Sequence, residues 1–250
     1  MKKLKKNVAV FDSDVLSNRG YKYTTNTSYS AKVANKRLTD ITIKILCQLK
    51  QKSLIDVGCG DGIYTNEIKK KFPRLKISAY DPAAKAIALA KKLYPKINFF
   101  VGNVLDKKLS QKEHYDTAVI RGVLHHLDQP KLAIKNTANM AKNIIIIDPN
   151  GNNPLLKLIE KRSKYHIEHE EKSYSIREFK NFCKKANCHL EKVYYVGFVP
   201  FFFPTLPSKI IYFFQPIMEK IPILNHYFAA QIVMVVSSKN KEICVQHQRR

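Results

Sequence analysis

The stretch Leu54-Ile-Asp-Val-Gly-Cys-Gly-Asp-Gly62 decides the reading of this 250-residue chain. Leu54–Val57 is apolar apart from Asp56, too short for a helix, and suits a strand buried on both faces. The run then opens into Gly58, Gly60 and Gly62, a G-x-G-x-G spacing, before a helical pattern over Ile63–Phe72. Small residues at such a turn let the backbone approach a ligand closely, and the helix start supplies N–H groups without intrahelical partners. Asp56 stands at the strand end, where a carboxylate can hold a cationic amine.

Outward from this turn the same alternation repeats. Lys76–Tyr80, Ile97–Val101, Thr117–Ile120 and Asn143–Ile147 read as strands, and Ala83–Leu93 and Lys131–Ala141 as helices, with Pro82 in a helix first turn. Strands alternating with helices predict a doubly wound, mostly parallel α/β sheet. Ser175-Ile-Arg-Glu178 is a capping box opening a helix to about Ala186. Glu191–Gly197 and Ala230–Ser237 complete seven strands, the last two forming an antiparallel edge.

Three segments lie outside that plan. Residues 1–52 hold a polar stretch, Tyr21–Ser30, and then a helix through Leu49. Residues 151–172 interrupt the path after the fifth strand, and residues 198–228, crowded with Phe, Tyr, Ile and Pro, separate the last two strands. The five cysteines contain no CxxC pair, which fits a reducing cytoplasm better than a secreted disulfide framework. The basic start is followed by too short an apolar stretch for a signal-peptide core, and no run makes a convincing bilayer span.

The net charge of +24 suggests acidic partners, but its carriers are 36 Lys against 8 Arg, spread along the chain. Readers of bases and phosphates favour the planar Arg fork, so the charge reads mainly as solvated faces.

Asp81 ends the second strand, 23 residues after Gly58. A carboxylate there accepts the two hydroxyls of a ribose, and is also placed as N-cap of the helix that Pro82 begins. After the third strand, Gly102-Asn103-Val104 offers an amide to an adenine edge. The fourth strand runs into Arg121-Gly-Val-Leu-His-His-Leu127.

Taken together, these residues resemble a class I S-adenosylmethionine-dependent methyltransferase of the type 11 or type 25 kind. Leu54–Gly62 resembles motif I, Asp81 the acidic ribose ligand, Gly102-Asn103 the adenine-side motif and Val123–Leu127 the motif after strand four. The family often carries Asp where this chain has Asn103. The resemblance implies a Rossmann-like methyltransferase fold over residues 53–250, with 151–172 and 198–228 as substrate-side insertions, and a helical lid from residues 1–52. S-adenosyl-L-methionine is the implied cofactor, held by Asp56, Gly58, Cys59, Gly60, Gly62, Asp81, Pro82, Asn103, Val104 and Arg121. An NAD(P) oxidoreductase wants a third glycine one residue later, at Ile63, and a non-catalytic binding protein on this fold is the other alternative.

No [DN]-P-P-[YF] run follows strand four, and no cysteine sits where a cytosine-C5 enzyme needs one, so nucleic acid is not an expected acceptor. The expected acceptor is small or lipid-like and methylated at oxygen. His125 or His126 is the expected general base, with a role in shaping the cofactor floor equally open for each. Adjacent histidines in this turn are expected to point different ways, and no metal is expected there or at His166-Ile-Glu-His169-Glu-Glu171. Tyr23 and Tyr29 are expected at the lid over cofactor or substrate. Phe201, Phe202 and Phe203 are expected in an extended turn, followed by a helix that Pro216 breaks. The expected setting is cytoplasmic; the aromatic insert is expected to cover an apolar acceptor, a second subunit or the membrane interface, with an acceptor wall and peripheral membrane contact favoured over dimerisation.

Overall fold

β1 (Ser53–Val57) forms where four consecutive residues are all buried, between β2 (Lys76–Asp81) and β4 (Tyr115–Arg121), parallel to both. The computed structural model describes residues 2–18, 20–111, 113–163 and 171–239. Four further strands extend the sheet: β3 (Asn98–Val101), β5 (Ala141–Pro149), β6 (Cys188–Val196) and β7 (Gln231–Ser238). Their order is β3-β2-β1-β4-β5-β7-β6, and β7 alone runs antiparallel to its neighbours. The chain reverses its direction of travel between β1 and β4. In open α/β sheets a ligand crevice lies outside the carboxyl ends of the strands at that reversal.

Side chains alternate across the sheet, so each strand feeds two cores. Ile55, Val57, Ile120, Ile144 and Ile146 face one core, with α6 (Pro130–Met140) and α8 (Ile176–Lys185) against them. Leu54, Val119, Ile145 and Ile147 face the other, beneath α3 (Tyr29–Leu49), α4 (Ile63–Lys71) and α5 (Ala84–Leu93). Both faces are covered, which is why the strands read as continuous apolar runs. The capping box is present as read: Ser175 Oγ accepts from the Glu178 amide at 3.3 Å, and Glu178 Oε2 from the Ser175 amide at 2.8 Å.

The fold adds to or corrects the local reading at three places. The first, an addition, is at the amino terminus, where α1 (Lys2–Asn18) and α2 (Lys22–Thr25) precede α3. Phe11 and Val15, one turn apart on α1, pack on Ala83 and Ala86, a contact whose signal lies some seventy residues away in the chain. The second concerns α5, which starts at Ala84 rather than Pro82, with Ala83 and not Asp81 as its N-cap. Ala83 has no capping oxygen; Asp12 of α1 accepts from the Lys85 amide at 3.0 Å instead. The third is Pro216, which does not break its helix. α9 (Thr205–Met218) runs through it, although Pro216 has no N–H for the Tyr212 carbonyl. α7 (Pro154–Arg162) and α10 (Pro222–Phe228) complete the helices. His166 and His169 lie outside the described residues.

Candidate functional site

The glycine turn is stapled to the neighbouring strand: the Gly58 and Cys59 amides both donate to the Tyr80 carbonyl, at 2.8 and 3.1 Å. None of its three glycines leaves room for a side chain. A Cβ on Gly58 (φ +74°) would lie 2.4 Å from Val123 Cγ2, and one on Gly60 (φ +56°) 2.3 Å from the Tyr21 ring. The fourth-strand turn thus presses on the first, and residue 21 covers it from outside. The Gly62 amide closes the turn onto the Cys59 carbonyl at 3.0 Å and leads into α4.

Two buried carboxylates flank the turn. Asp56 accepts from Thr65 Oγ1 at 2.5 Å, and burial pushes its carboxyl up to about 6 against the pull of Thr65 and Arg121. Asp81 accepts from the Gly60 amide at 3.0 Å and the Ala83 amide at 2.8 Å, and burial pushes it up to about 6 as well. Cys59 is buried between them. Burial, then the Asp56 and Asp81 charges, raise its thiol well above the ordinary value, so it is no nucleophile. Pro82 follows Asp81, half-buried. Asn103 spends its side-chain oxygen on the Leu105 amide at 2.9 Å, while Val104 is buried and its carbonyl accepts from Asn136 Nδ2 at 2.8 Å.

Behind the turn lies a cavity of about 30 Å³, lined by Asp56, Gly58, Cys59, Tyr64 and Arg121 among others. The Arg121 guanidinium stacks 3.5 Å from the Tyr64 ring centroid and donates to Thr39 Oγ1 and Asn35 Oδ1, each at 3.1 Å. Arg121 at the end of β4 thereby faces the same space as Asp56 at the end of β1.

The two histidines follow Val123, the residue pressed on Gly58. His125 is buried, and its Nδ1 lies 2.8 Å from Oδ1 of Asp148, itself fully enclosed at the end of β5. Burial lowers the imidazole pKa, but the Asp148 charge and hydrogen bond outweigh it and the net direction is up. His126 stands edge-on to Phe11 of α1 with ring centroids 5.2 Å apart, and its Nδ1 is 3.8 Å from Glu171 Oε1. The rings do not diverge as expected: their centroids are 4.0 Å apart, and His125, His126 and Glu171 bring one ligand-type atom each within 4.8 Å. That span exceeds the roughly 3.4 Å between nitrogen or oxygen ligands of a tetrahedral zinc ion.

The aromatic residues expected at the lid divide. Tyr23 stands 6.3 Å from Tyr64 and 4.5 Å from Phe201 between ring centroids, beside the Arg121 end of the site. Tyr29 lies elsewhere, facing Tyr212 and Lys209 in a groove of about 630 Å³ between α3 and α9. The ring that lies on the glycine turn is Tyr21, which sequence reasoning passed over. Its amide donates to Asp61 Oδ2 at 3.0 Å, Thr24 Oγ1 donates to the same oxygen, and burial raises its phenol. Asp61, Tyr64 and Asp148 were missed too. Asp61 carried a signal, since it sits inside the glycine motif; Asp148 is tied to His125 only through the sheet.

Comparison with known families settles the identity of this arrangement. The methyltransferase domain family matches residues 29–193, two-thirds of the chain. The chain belongs to that family. Among curated methyltransferases it is similar to the malonyl-[acyl-carrier protein] O-methyltransferase of Halalkalibacterium halodurans, at 29% identity over 40% of this chain and 36% of that one. The enzyme of the same name from Bacillus cytotoxicus is 24% identical over 57% of this chain and 54% of that one. The chain thus spans about half or less of the length of the curated relatives it matches. The plantazolicin methyltransferase BamL, solved in complex with a triazolic desmethylPZN analog and SAH, superposes with a TM-score of 0.61. It is 15% identical, and the superposition covers 95% of this chain and 97% of that one. α1, α2, α9, α10 and β7 fall outside the family match.

Proposed function

We propose that this protein transfers a methyl group from S-adenosylmethionine to an oxygen of a small or lipid-like acceptor. The observation that carries the reading is the His125–Asp148 pair, buried beside the glycine turn through Val123. Among the relatives, the two malonyl-[acyl-carrier protein] enzymes are named as O-methyltransferases and BamL is described with SAH. The residues present fit the donor: a turn without Cβ atoms at Gly58 and Gly60, and carboxylates at the ends of β1 and β2. Asp56 and Arg121 would hold the amino-acid end, Asp81 the ribose, and Asn103 with its free amide hydrogens the adenine, beside Pro82 and Val104. When bound, the donor supplies a methyl group on a sulfonium, already activated toward nucleophiles.

What remains for the protein is positioning and proton removal. Asp148 accepts the Nδ1 hydrogen of His125, which leaves Nε2 as the base for an acceptor hydroxyl. His126, against Phe11, shapes the floor beneath α1. α1 and α2 act as the lid, with Tyr21 on Gly60 and Tyr23 at the Arg121 end; Tyr29 serves the α3–α9 groove. The insert at 198–228 forms an acceptor wall and brings the protein to a membrane.

The test is incorporation of labelled methyl from S-adenosylmethionine into a lipid and small-molecule extract. His125→Ala should lower turnover by about 10²–10⁴-fold with donor affinity unchanged. Asp148→Asn removes the charge that raises the imidazole, so the acid limb of the rate profile should move to lower pH. Full turnover by both His125→Ala and His126→Ala across about pH 6–9 would leave positional catalysis alone.

A further inference from the structure

Ten of the sixteen large apolar side chains left exposed among the described residues fall within residues 202–228. α9 is turned inside out relative to an ordinary surface helix. Its buried residues are Ser208 and Gln215, both polar, and the Gln215 side-chain oxygen accepts from the Phe198 amide at 3.1 Å. Facing solvent are Leu206, Ile210, Phe213 and Ile217, spaced four, three and four residues apart and so aligned in one stripe. Phe213 is 75% exposed. Ile223 of α10, equally bare, extends the patch, and α10 packs beside α7, which buries none of its own residues. Of the three rings 201–203, Phe202 is exposed while Phe201 and Phe203 are half-buried, Phe201 against Tyr23.

The rim of this patch is positive. Lys161 and Arg162 on α7, Lys209 on α9 and Lys220 in the turn between α9 and α10 are exposed. The two acids of α7 and the α9 end are already engaged: Glu160 with Lys157 and the Ser173 amide, Glu219 with Arg37. A second copy would set these like charges against each other, whereas an anionic surface complements them. Among the described residues no helix is long and apolar enough to cross a membrane, so any contact of this patch with a bilayer would run along the surface.

We propose that the outer faces of α9 and α10, with the Phe202 turn, dock in the headgroup plane of an anionic phospholipid bilayer. The docking rests on the methyl-transfer reading only for its purpose, delivery of a membrane-borne acceptor to the site. The route is short. Ser30 Oγ holds the Phe201 carbonyl at 2.8 Å, and Phe201, Tyr23, Tyr64 and Arg121 follow in contact toward the cavity at Asp56.

Sedimentation of the full chain with vesicles of phosphatidylcholine, with and without phosphatidylglycerol, tests the docking without turnover. The protein should pellet with the anionic vesicles only. The triple variant Leu206→Ser, Phe213→Ser, Ile217→Ser should lose at least about tenfold in partitioning. Lys209→Ala and Lys220→Ala should cost about fivefold each. The chain has no tryptophan, so Phe213→Trp gives a single reporter that keeps an aromatic ring; its emission should shift blue on anionic vesicles, while Val101→Trp, at the far edge of the sheet, should not shift. Docking is overturned by an absence of pelleting, by a triple variant that pellets like the parent, by equal shifts at both reporters, or by a dimer that ignores vesicles. Such a result leaves the methyl-transfer assay untouched.

Discussion

The glycine turn and the insert between the last strands invert each other's chemistry. At the turn, polar groups are buried. Asp56, Asp81 and Asp148 are almost wholly enclosed, yet each has partners: a threonine hydroxyl, two backbone amides, an imidazole. In the insert the apolar groups are outside and the polar ones, Ser208 and Gln215, inside. Folding alone selects neither pattern, since a buried carboxylate costs desolvation and an exposed phenylalanine forgoes burial. Under the two proposals each pattern is matched by a second component, a cationic and hydroxyl-bearing ligand in one case and an apolar, anionic surface in the other.

The largest break expected on the turn side is Asp81→Ala. It removes the proposed acceptor for the ribose and leaves the Gly60 and Ala83 amides without their partner. Donor binding by calorimetry should weaken by about 1.5–3 kcal/mol, roughly 10–150-fold. Tight binding of NADH with none of the donor would overturn the site assignment itself.

A pH series sharpens the same side. Asp56 and Asp81 sit at about 6 in the fold against about 3.9 for a free aspartate. On the proposed assignment donor binding calls on the ionised forms, so affinity should be flat above pH 7 and fall as pH drops through about 6. Their contribution to stability runs the other way. Between about pH 4 and 6 the folded chain holds more protons than the unfolded one, so this term stabilises the fold as pH falls. Opposite slopes in calorimetry and thermal melts are the expected signature; parallel slopes would mean that other groups dominate both.

The smallest effect belongs to the insert. Ile210→Ser replaces an exposed apolar residue on α9 and should change unfolding free energy by less than about 0.5 kcal/mol, in either direction. A loss of several kcal/mol would show that the stripe is packed core, and would erase the contrast.

Much of the fold was legible because its signals are local. β1, α4 and the capping box at Ser175 stand at or within a residue of where periodicity, glycine spacing and cap chemistry put them. The same local logic failed at α5. Pro82 and Asp81 looked like a complete helix start, while the oxygen that serves the Lys85 amide comes from Asp12. It failed again at Pro216, where α9 continues despite the missing donor. Of the aromatic residues near the site, the one lying on Gly60 is Tyr21, singled out by contact and not by composition.

The sequence by itself determined the alternating sheet, the glycine turn and the acids at the ends of β1 and β2. Hydrophobic period and backbone conformation act over a few residues, and there the neighbours in the chain are also the neighbours in space. Only the tertiary structure decided that Asp148 meets His125, that α1 packs on α5 with Phe11 against His126, and that the apolar stripe of α9 faces outward. Those facts depend on which strand ends and helix faces meet, and β4 meets β5, or α1 meets α5, only once the sheet has brought distant segments together.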